Sequence, residues 1–124
     1  MGWFTSSKTD FSWEELKDSE ALRQYVEKSE QVPVLFFKHS TRCSISSMAL
    51  SRFEEKWDTN EDCKLFFLDL LQFRPVSNLL ADLTNVEHQS PQVIVLFNEE
   101  VIYTATHSAI DAKDIHELLQ QLNP

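Results

Sequence analysis

Glycine and cysteine are scarce in this chain. A single glycine among 124 residues leaves no Gly-rich loop of the kind that cradles phosphates, so we expect no nucleotide cofactor. Two cysteines are too few for the disulfide framework of a small secreted protein, and a domain of this length buries enough apolar surface to fold without one. Without any linker or repeat, residues 1–124 are predicted to form a single domain, with residues 1–11 as a loosely ordered lead-in.

Long apolar runs and an excess of positive charge are also missing. No segment reaches the ~18 apolar residues of a membrane span, and the first residues lack the apolar core of a signal peptide, so we expect a cytoplasmic protein with no membrane partner. Twenty acidic residues against eleven basic ones give a net charge of −9, which argues against nucleic acid as a partner. Cysteine and histidine do not occur at paired ligand spacing, so no metal site is expected.

What the chain does have is a cysteine at the point where a strand pattern meets a helix pattern. Residues 32–37 are β-branched and aromatic, which is typical of a buried strand. After them, apolar residues recur at helical spacing, which predicts a helix that begins at or just after Cys43, with Ser40 or Thr41 as its cap. The predicted apolar face of this helix consists of Ile45, Met48, Ala49, Phe53 and Trp57.

At a helix N-terminus, Cys43 is placed to act as a nucleophile. Unpaired amide donors and the positive end of the helix dipole favour the thiolate, and Arg42 and Lys38 add positive charge. His39 is close enough in sequence to tune the thiolate, although it also fits as the last residue of the strand. A cysteine on an apolar helix is more often an inert packing residue, so Cys-x-x-Ser alone leaves both interpretations open.

The other patterns complete an α/β fold. The predicted order is helix, strand, helix, strand, helix, strand, strand, helix, after a segment at Trp13–Leu16 that is either a helical turn or extended. Strand, helix and strand in succession make a parallel unit, and a short turn at residues 98–100 makes the last two strands antiparallel. We therefore predict a mixed central β-sheet of about four strands with helices on both faces, and Cys43 at the end of its central strand.

The second cysteine is predicted to be a packing residue. Cys63 enters the next strand from the far end of a helix about 20 Å long, whereas a disulfide needs Cα atoms within about 7 Å. We therefore expect Cys63 in the core and not as a partner for Cys43. The residues predicted to start or end the other helices are Asp18 or Ser19, Pro75, Asn85 and Asp111.

Together these features resemble the thioredoxin fold, and four segments resemble the monothiol bacilliredoxins of YtxJ type. The resemblance runs from about Trp13 to the C-terminus, and its motifs follow one another in the order and separation of that family. They are Lys38–Ser46 (KHSTRCSIS), Arg74–Asn78 (RPVSN), His88 with Ser90–Gln92 (SPQ), and His107–Ile110 (HSAI).

The resemblance implies a thiol-disulfide exchange protein that removes bacillithiol, a low-molecular-weight thiol, from mixed disulfides on protein cysteines. It makes Cys43 the attacking residue, places Ser46 where dithiol relatives have a resolving cysteine, and makes Pro91 a cis-proline that faces Cys43. Ser44 departs from the family, which usually has proline there. The partners implied are S-thiolated client proteins, with the small thiol as co-substrate and no permanently bound cofactor.

The candidate site therefore comprises a nucleophile, a loop and a docking segment. The residues expected to tune the thiolate or shape its loop are His39, Thr41, Arg42, Ser44 and Ser46. Ser90 and Pro91 are expected to dock substrate, because groups beside a cis Ser-Pro bond can pair with an extended backbone by strand addition; the alternative for Ser90 is a purely local role in its loop. His88 and His107 match family positions without a derived role, and His116 is expected on the solvent side of the last helix.

Two other functions stay open at this point. A redox-inactive adaptor that keeps the thioredoxin scaffold would explain the missing second cysteine and the serine at position 44. An iron–sulfur carrier of the monothiol glutaredoxin kind would need glycine in the cysteine loop, and this loop has none.

Overall fold

Four helices and five strands make up the part of the chain that the structure describes, residues 13–58 and 62–122 of a computed structural model. The lead-in predicted for residues 1–11 lies outside the described residues. The strands are β1 (Glu14–Glu15), β2 (Val34–His39), β3 (Lys64–Asp69), β4 (Gln92–Phe97) and β5 (Glu100–Thr106). The helices are α1 (Ser19–Lys28), α2 (Ser44–Lys56), α3 (Arg74–Thr84) and α4 (Ala112–Leu122), and a 3-10 turn (His107–Ala109) precedes α4.

The five strands form one mixed sheet in the order β1-β3-β2-β4-β5. β1, β3 and β2 are parallel, whereas β4 is antiparallel to both β2 and β5. The predicted α/β architecture is confirmed, but the predicted number of about four strands is one too low. Glu14 and Glu15 pair with Phe66 and Phe67, so the extended alternative for this segment is correct. Their side chains are exposed. Because only the backbone of these two polar residues pairs, the sequence carries no hydrophobic pattern that would identify the strand.

β2 is the centre of the core and is buried along its whole length. Because side chains alternate across a strand, Phe37 packs with α2 and α4 on one face, while Phe36 packs with α1 and α3 on the other. The same alternation sends the last two residues of β2 to opposite faces. Lys38 reaches α3, and His39 reaches α2.

The predicted helix boundaries agree with the structure. Pro75 lies in the first turn of α3, where its missing N–H is not needed, and the helix ends just before Asn85, whose φ of 57° is left-handed. The carboxylate of Asp18 accepts a hydrogen bond from a first-turn amide of α1 at 2.7 Å, and Asp111 does the same for α4 at 2.9 Å. None of the helices within residues 13–58 and 62–122 is long and apolar enough to cross a membrane.

Cys63 lies at the opposite end of the sheet from Cys43. Lys64 pairs with Val34 at the start of β2, so Cys63 precedes that start, whereas Cys43 follows the end of β2. At about 3.3 Å per residue, the length of β2 alone separates the two ends by roughly 17 Å. Cys63 packs against the core on the α2 and α4 face but is only half-buried. The prediction of a packing residue is thus right about its contacts and too strong about its burial.

His116 does not point simply into solvent, so that prediction is wrong. The residue is half-buried, its ring centroid lies 4.6 Å from that of Trp57, and its Nε2 accepts a hydrogen bond from the Asp58 amide at 3.0 Å. The imidazole therefore joins α4 to the C-terminal end of α2.

Candidate active site

Cys43 itself is the N-cap of α2, with an extended backbone at φ −111° and ψ 121°. Its carbonyl accepts from the Ser47 amide, and its own amide donates to the Ser40 carbonyl, both at 3.1 Å. The prediction of Ser40 or Thr41 as the cap is therefore wrong. The turn closed between Ser40 and Cys43 puts the cysteine, and not a hydroxyl residue, last before the helix. The Cys43 side chain makes no capping hydrogen bond and the residue is half-buried, so the thiol lies at the start of a helix.

A buried hydrogen-bond network underlies the Cys43 loop. Ser46 is fully buried and His39 is almost so, and Ser46 Oγ lies 2.7 Å from His39 Nδ1. The Ser40 amide donates to the same Oγ at 3.1 Å. Burial lowers the pKa of His39 from its ordinary value, and the Asp69 carboxylate opposes this effect without cancelling it. We assign Nδ1 of the neutral imidazole as the acceptor of the Ser46 hydroxyl proton, because this uses the one donor of the hydroxyl while its oxygen accepts from the Ser40 amide.

This network connects the end of β2 to the nucleophile without touching the sulfur. His39 holds Ser46, Ser46 holds the Ser40 amide, and the Ser40 carbonyl holds the Cys43 amide. Sequence reasoning treated His39 and Ser46 as separate candidates and missed their contact. The signal was their position: a polar residue at the end of a buried strand faces the first turn of the helix that follows.

Exposed side chains surround Cys43. Thr41, Arg42 and Ser44 are all exposed, as expected for the polar part of the loop. Ile45 and Met48 were assigned to the apolar core face of the helix, but 57% and 65% of their surfaces are exposed. That assignment is wrong, because the buried side of α2 is formed by Ser46, Ala49 and Phe53, and Ile45 and Met48 lie beside that face. The consequence is an apolar surface beside the cysteine.

The docking segment lies at the same end of the sheet as the Cys43 loop. The Ser90-Pro91 bond is cis, which agrees with the family resemblance, and Pro91 is buried. Gln92 pairs with Lys38 in the antiparallel register of β2 and β4, so Pro91 lies opposite His39, at the end of β2 where the cysteine loop begins. Ser90 Oγ is buried without a hydrogen-bond partner among the described residues. Its role in docking stays a prediction.

The other family-like positions lie on two sides of this segment. Lys38 is fully buried, and burial lowers its pKa to about 8. Its Nζ contacts His88 Nδ1 at 3.2 Å, so its charge lies inside the protein and not on the loop surface where Arg42 is. His107 is exposed and reaches the docking segment through its backbone, since its amide donates to the Pro91 carbonyl at 3.1 Å.

Residues 14–115 match the family described as monothiol bacilliredoxin BrxC. A solved structure described as a candidate oxidoreductase with a thioredoxin fold is 28% identical, with a TM-score of 0.72 over 83% of this chain and 89% of that chain. Thioredoxin from Malassezia sympodialis is 13% identical, with a TM-score of 0.67 over 89% of this chain and 90% of its own. Thioredoxin from Schistosoma mansoni is 15% identical, with a TM-score of 0.64 over 89% and 94%. The two thioredoxins establish likeness of fold alone.

The fold, the position of Cys43 and these matches agree with one another. The sheet and the cis-proline are those of the thioredoxin fold, and the family match spans the cysteine loop, the docking segment and the first turn of α4. The match and the likeness to an oxidoreductase support a function in thiol redox chemistry. The chain belongs to the monothiol bacilliredoxin family.

Proposed function

We propose that this protein removes bacillithiol from mixed disulfides on client proteins, with Cys43 as the only reacting residue. The observation that carries the proposal is the pairing of a half-buried cysteine at the N-cap of α2 with a serine three residues later. An N-terminal helix position favours the thiolate, which is the attacking species in disulfide exchange. Arg42, the preceding residue, is exposed.

The reaction consists of two exchanges. The Cys43 thiolate attacks the bacillithiol sulfur of the client disulfide, so that a bond forms between these sulfurs and the client cysteine leaves as a thiolate, which takes a proton from water. A second bacillithiol thiolate then attacks the mixed disulfide on Cys43. This step releases the bacillithiol disulfide and regenerates the Cys43 thiolate, so atoms and electrons balance with bacillithiol as the reductant.

An external thiol is needed because the chain offers no second cysteine within reach of Cys43. The Ser46 hydroxyl cannot form a disulfide and is held by His39. Cys63 lies at the other end of β2 and β3. The adduct on Cys43 therefore persists until a small thiol arrives, which defines a monothiol mechanism.

The adduct itself is the test. Incubation with a bacillithiolated client protein should raise the mass of this chain by one bacillithiol and release the client as a free thiol. Cys43→Ser should abolish the transfer, and Cys63→Ser should leave it intact, as intact-mass spectrometry would report. If the wild-type chain takes up no small thiol from any mixed disulfide, the enzyme proposal fails. The fold and its exposed apolar side chains beside Cys43 would then fit the adaptor alternative.

A further inference from the structure

Two buried polar side chains hold the segment that carries Ser90 and Pro91. Gln92 is 1% exposed; its Oε1 accepts from the Gln89 amide at 3.3 Å, and its Nε2 donates to the Glu87 carbonyl at 3.0 Å. Lys38, its cross-strand neighbour, is fully buried and holds the same segment through His88. The side chains of Gln92 and Lys38 thus hold residues 87–91 at two points.

The contact between Lys38 and His88 has a defined polarity. A lysine ammonium group can only donate, so His88 Nδ1 is the acceptor at 3.2 Å and the imidazole is neutral. Burial, Lys38 and Arg74 together lower the pKa of His88 from its ordinary value, in keeping with this assignment. The Ser77 hydroxyl lies 3.3 Å from the same nitrogen, and the Ser77 carbonyl lies 3.5 Å from Lys38 Nζ.

Lys38 is an unusual choice for a core position. Within residues 13–58 and 62–122 it forms no salt bridge with a carboxylate, and a buried cation without a counter-charge opposes folding. Methionine has a similar length and would fill the space without that desolvation. The benefit of the ammonium group therefore lies in what it binds, which is His88 and the backbone of α3.

We propose that Lys38 is a positioning residue that fixes the docking segment through His88, so that a client backbone can pair with this segment beside Cys43. The proposal rests on the proposed function, because it assigns the segment to client binding. Two neighbouring residues at the end of β2 then have different roles. The His39 and Ser46 contacts hold the nucleophile, whereas Lys38, on the opposite face of the same strand, holds the surface that receives the client.

The test uses variants that break or keep the acceptor at position 88. His88→Ala removes it, whereas His88→Asn keeps an oxygen near the place of Nδ1, and Lys38→Met removes the donor. We expect His88→Ala and Lys38→Met to raise KM for a bacillithiolated client protein by about tenfold, the loss typical of a charged hydrogen bond, with His88→Asn close to wild type. The rate at which iodoacetamide alkylates Cys43 should stay within about twofold in all three, since this reagent needs no docking segment.

Lys17→Met is the matched control for the lysine change. Lys17 is exposed and its ion pair with Glu15 spans 3.5 Å at the surface, so this variant should behave as wild type in both assays. An increase in KM for Lys17→Met equal to that for Lys38→Met would overturn the proposal. So would a parallel fall in Cys43 alkylation and client turnover in His88→Ala, because it would mean general damage to the site.

Hydrogen exchange decides the inference independently of activity. The Gln89 amide, bonded to Gln92, should exchange about tenfold faster in His88→Ala than in wild type, while the Ser47 amide at the start of α2 should not change. An unchanged Gln89 amide would overturn the role of Lys38 and His88 even if the enzyme removes bacillithiol. Conversely, a wild-type protein that takes up no bacillithiol refutes the proposed function, and the exchange result then still decides whether Lys38 fixes the segment.

Discussion

Ser46 shows at the scale of single residues how a serine can replace a resolving cysteine without leaving a gap. Its hydroxyl joins the His39 ring to the Ser40 amide in a fully buried place. A cysteine at this position would offer a larger sulfur and a weaker hydrogen-bonding group. The monothiol character of the chain is therefore part of its structure and not only the absence of one atom.

Removal of the Ser46 hydroxyl should destabilise the protein. Ser46→Ala leaves His39 Nδ1 and the Ser40 amide buried without their partner, and we expect the free energy of unfolding to fall by about 1–3 kcal/mol. Urea unfolding at pH 7 measures it. Ser47→Ala, one residue further along α2 with an exposed side chain, is the control and should change stability by less than about 0.5 kcal/mol. Equal effects in the two variants would show that the network contributes nothing.

At the scale of elements, the start of α2 predicts the effect of proline at position 44, the residue that the family resemblance implies there. Ser44 is the first residue of the helix, where the amide has no acceptor within the helix. Ser44→Pro should therefore be tolerated and should stabilise the protein by about 0.4–1 kcal/mol, because proline restricts the unfolded chain. Thermal and urea unfolding report this, and the change in Cys43 alkylation rate shows whether position 44 tunes the thiol.

The control for this proline lies in the same turn. The Ser47 amide donates to the Cys43 carbonyl at 3.1 Å, so Ser47→Pro removes a hydrogen bond and should cost about 3 kcal/mol or more. If Ser44→Pro destabilises the protein as much as Ser47→Pro does, then α2 begins earlier than Ser44.

Local patterns predicted most elements, and contacts between elements account for what they missed. Caps and turn residues gave the ends of α1, α3 and α4, and hydrophobic periodicity gave β2 and the side of α2 that carries Phe53. Periodicity does not say which side of the helix the opposite layer covers, so Ile45 and Met48 were placed in the core although more than half of the surface of each is exposed. The pairing of Lys38 with His88 joins residues fifty positions apart and depends on the register of β2 and β4, which no local pattern contains.

For the molecule as a whole, the buried lysine makes stability depend on pH in an alkaline window. Burial lowers the pKa of Lys38 from 10.5 to about 8 in the folded state, so the unfolded chain binds more protons between these values. The contribution of Lys38 to the free energy of unfolding therefore rises as the pH increases from about 8 to 10.5. His88, Ser77 and Gln92 surround or adjoin the lysine, and Arg74 acts on it through His88.

This dependence can be isolated by comparison with Lys38→Met. Because other groups titrate in the same window, the useful quantity is the difference between the unfolding free energies of the two proteins, measured by urea at several pH values. We expect the wild type to gain relative to Lys38→Met as the pH rises from 8 to 10.5, and the difference to be constant between pH 7 and 7.5 within error. A flat difference across the alkaline window would mean that Lys38 is charged and fully solvated in the folded state.

The two-residue strand β1 has a consequence for solubility. β3 contains the run Leu65–Leu68, and its outer edge would otherwise offer free amide and carbonyl groups to another chain. Glu14 and Glu15 occupy part of that edge with exposed carboxylates, and short, charged edge strands are poor templates for further pairing. A two-residue strand with exposed side chains thus guards part of the outer edge of an apolar strand against neighbouring molecules.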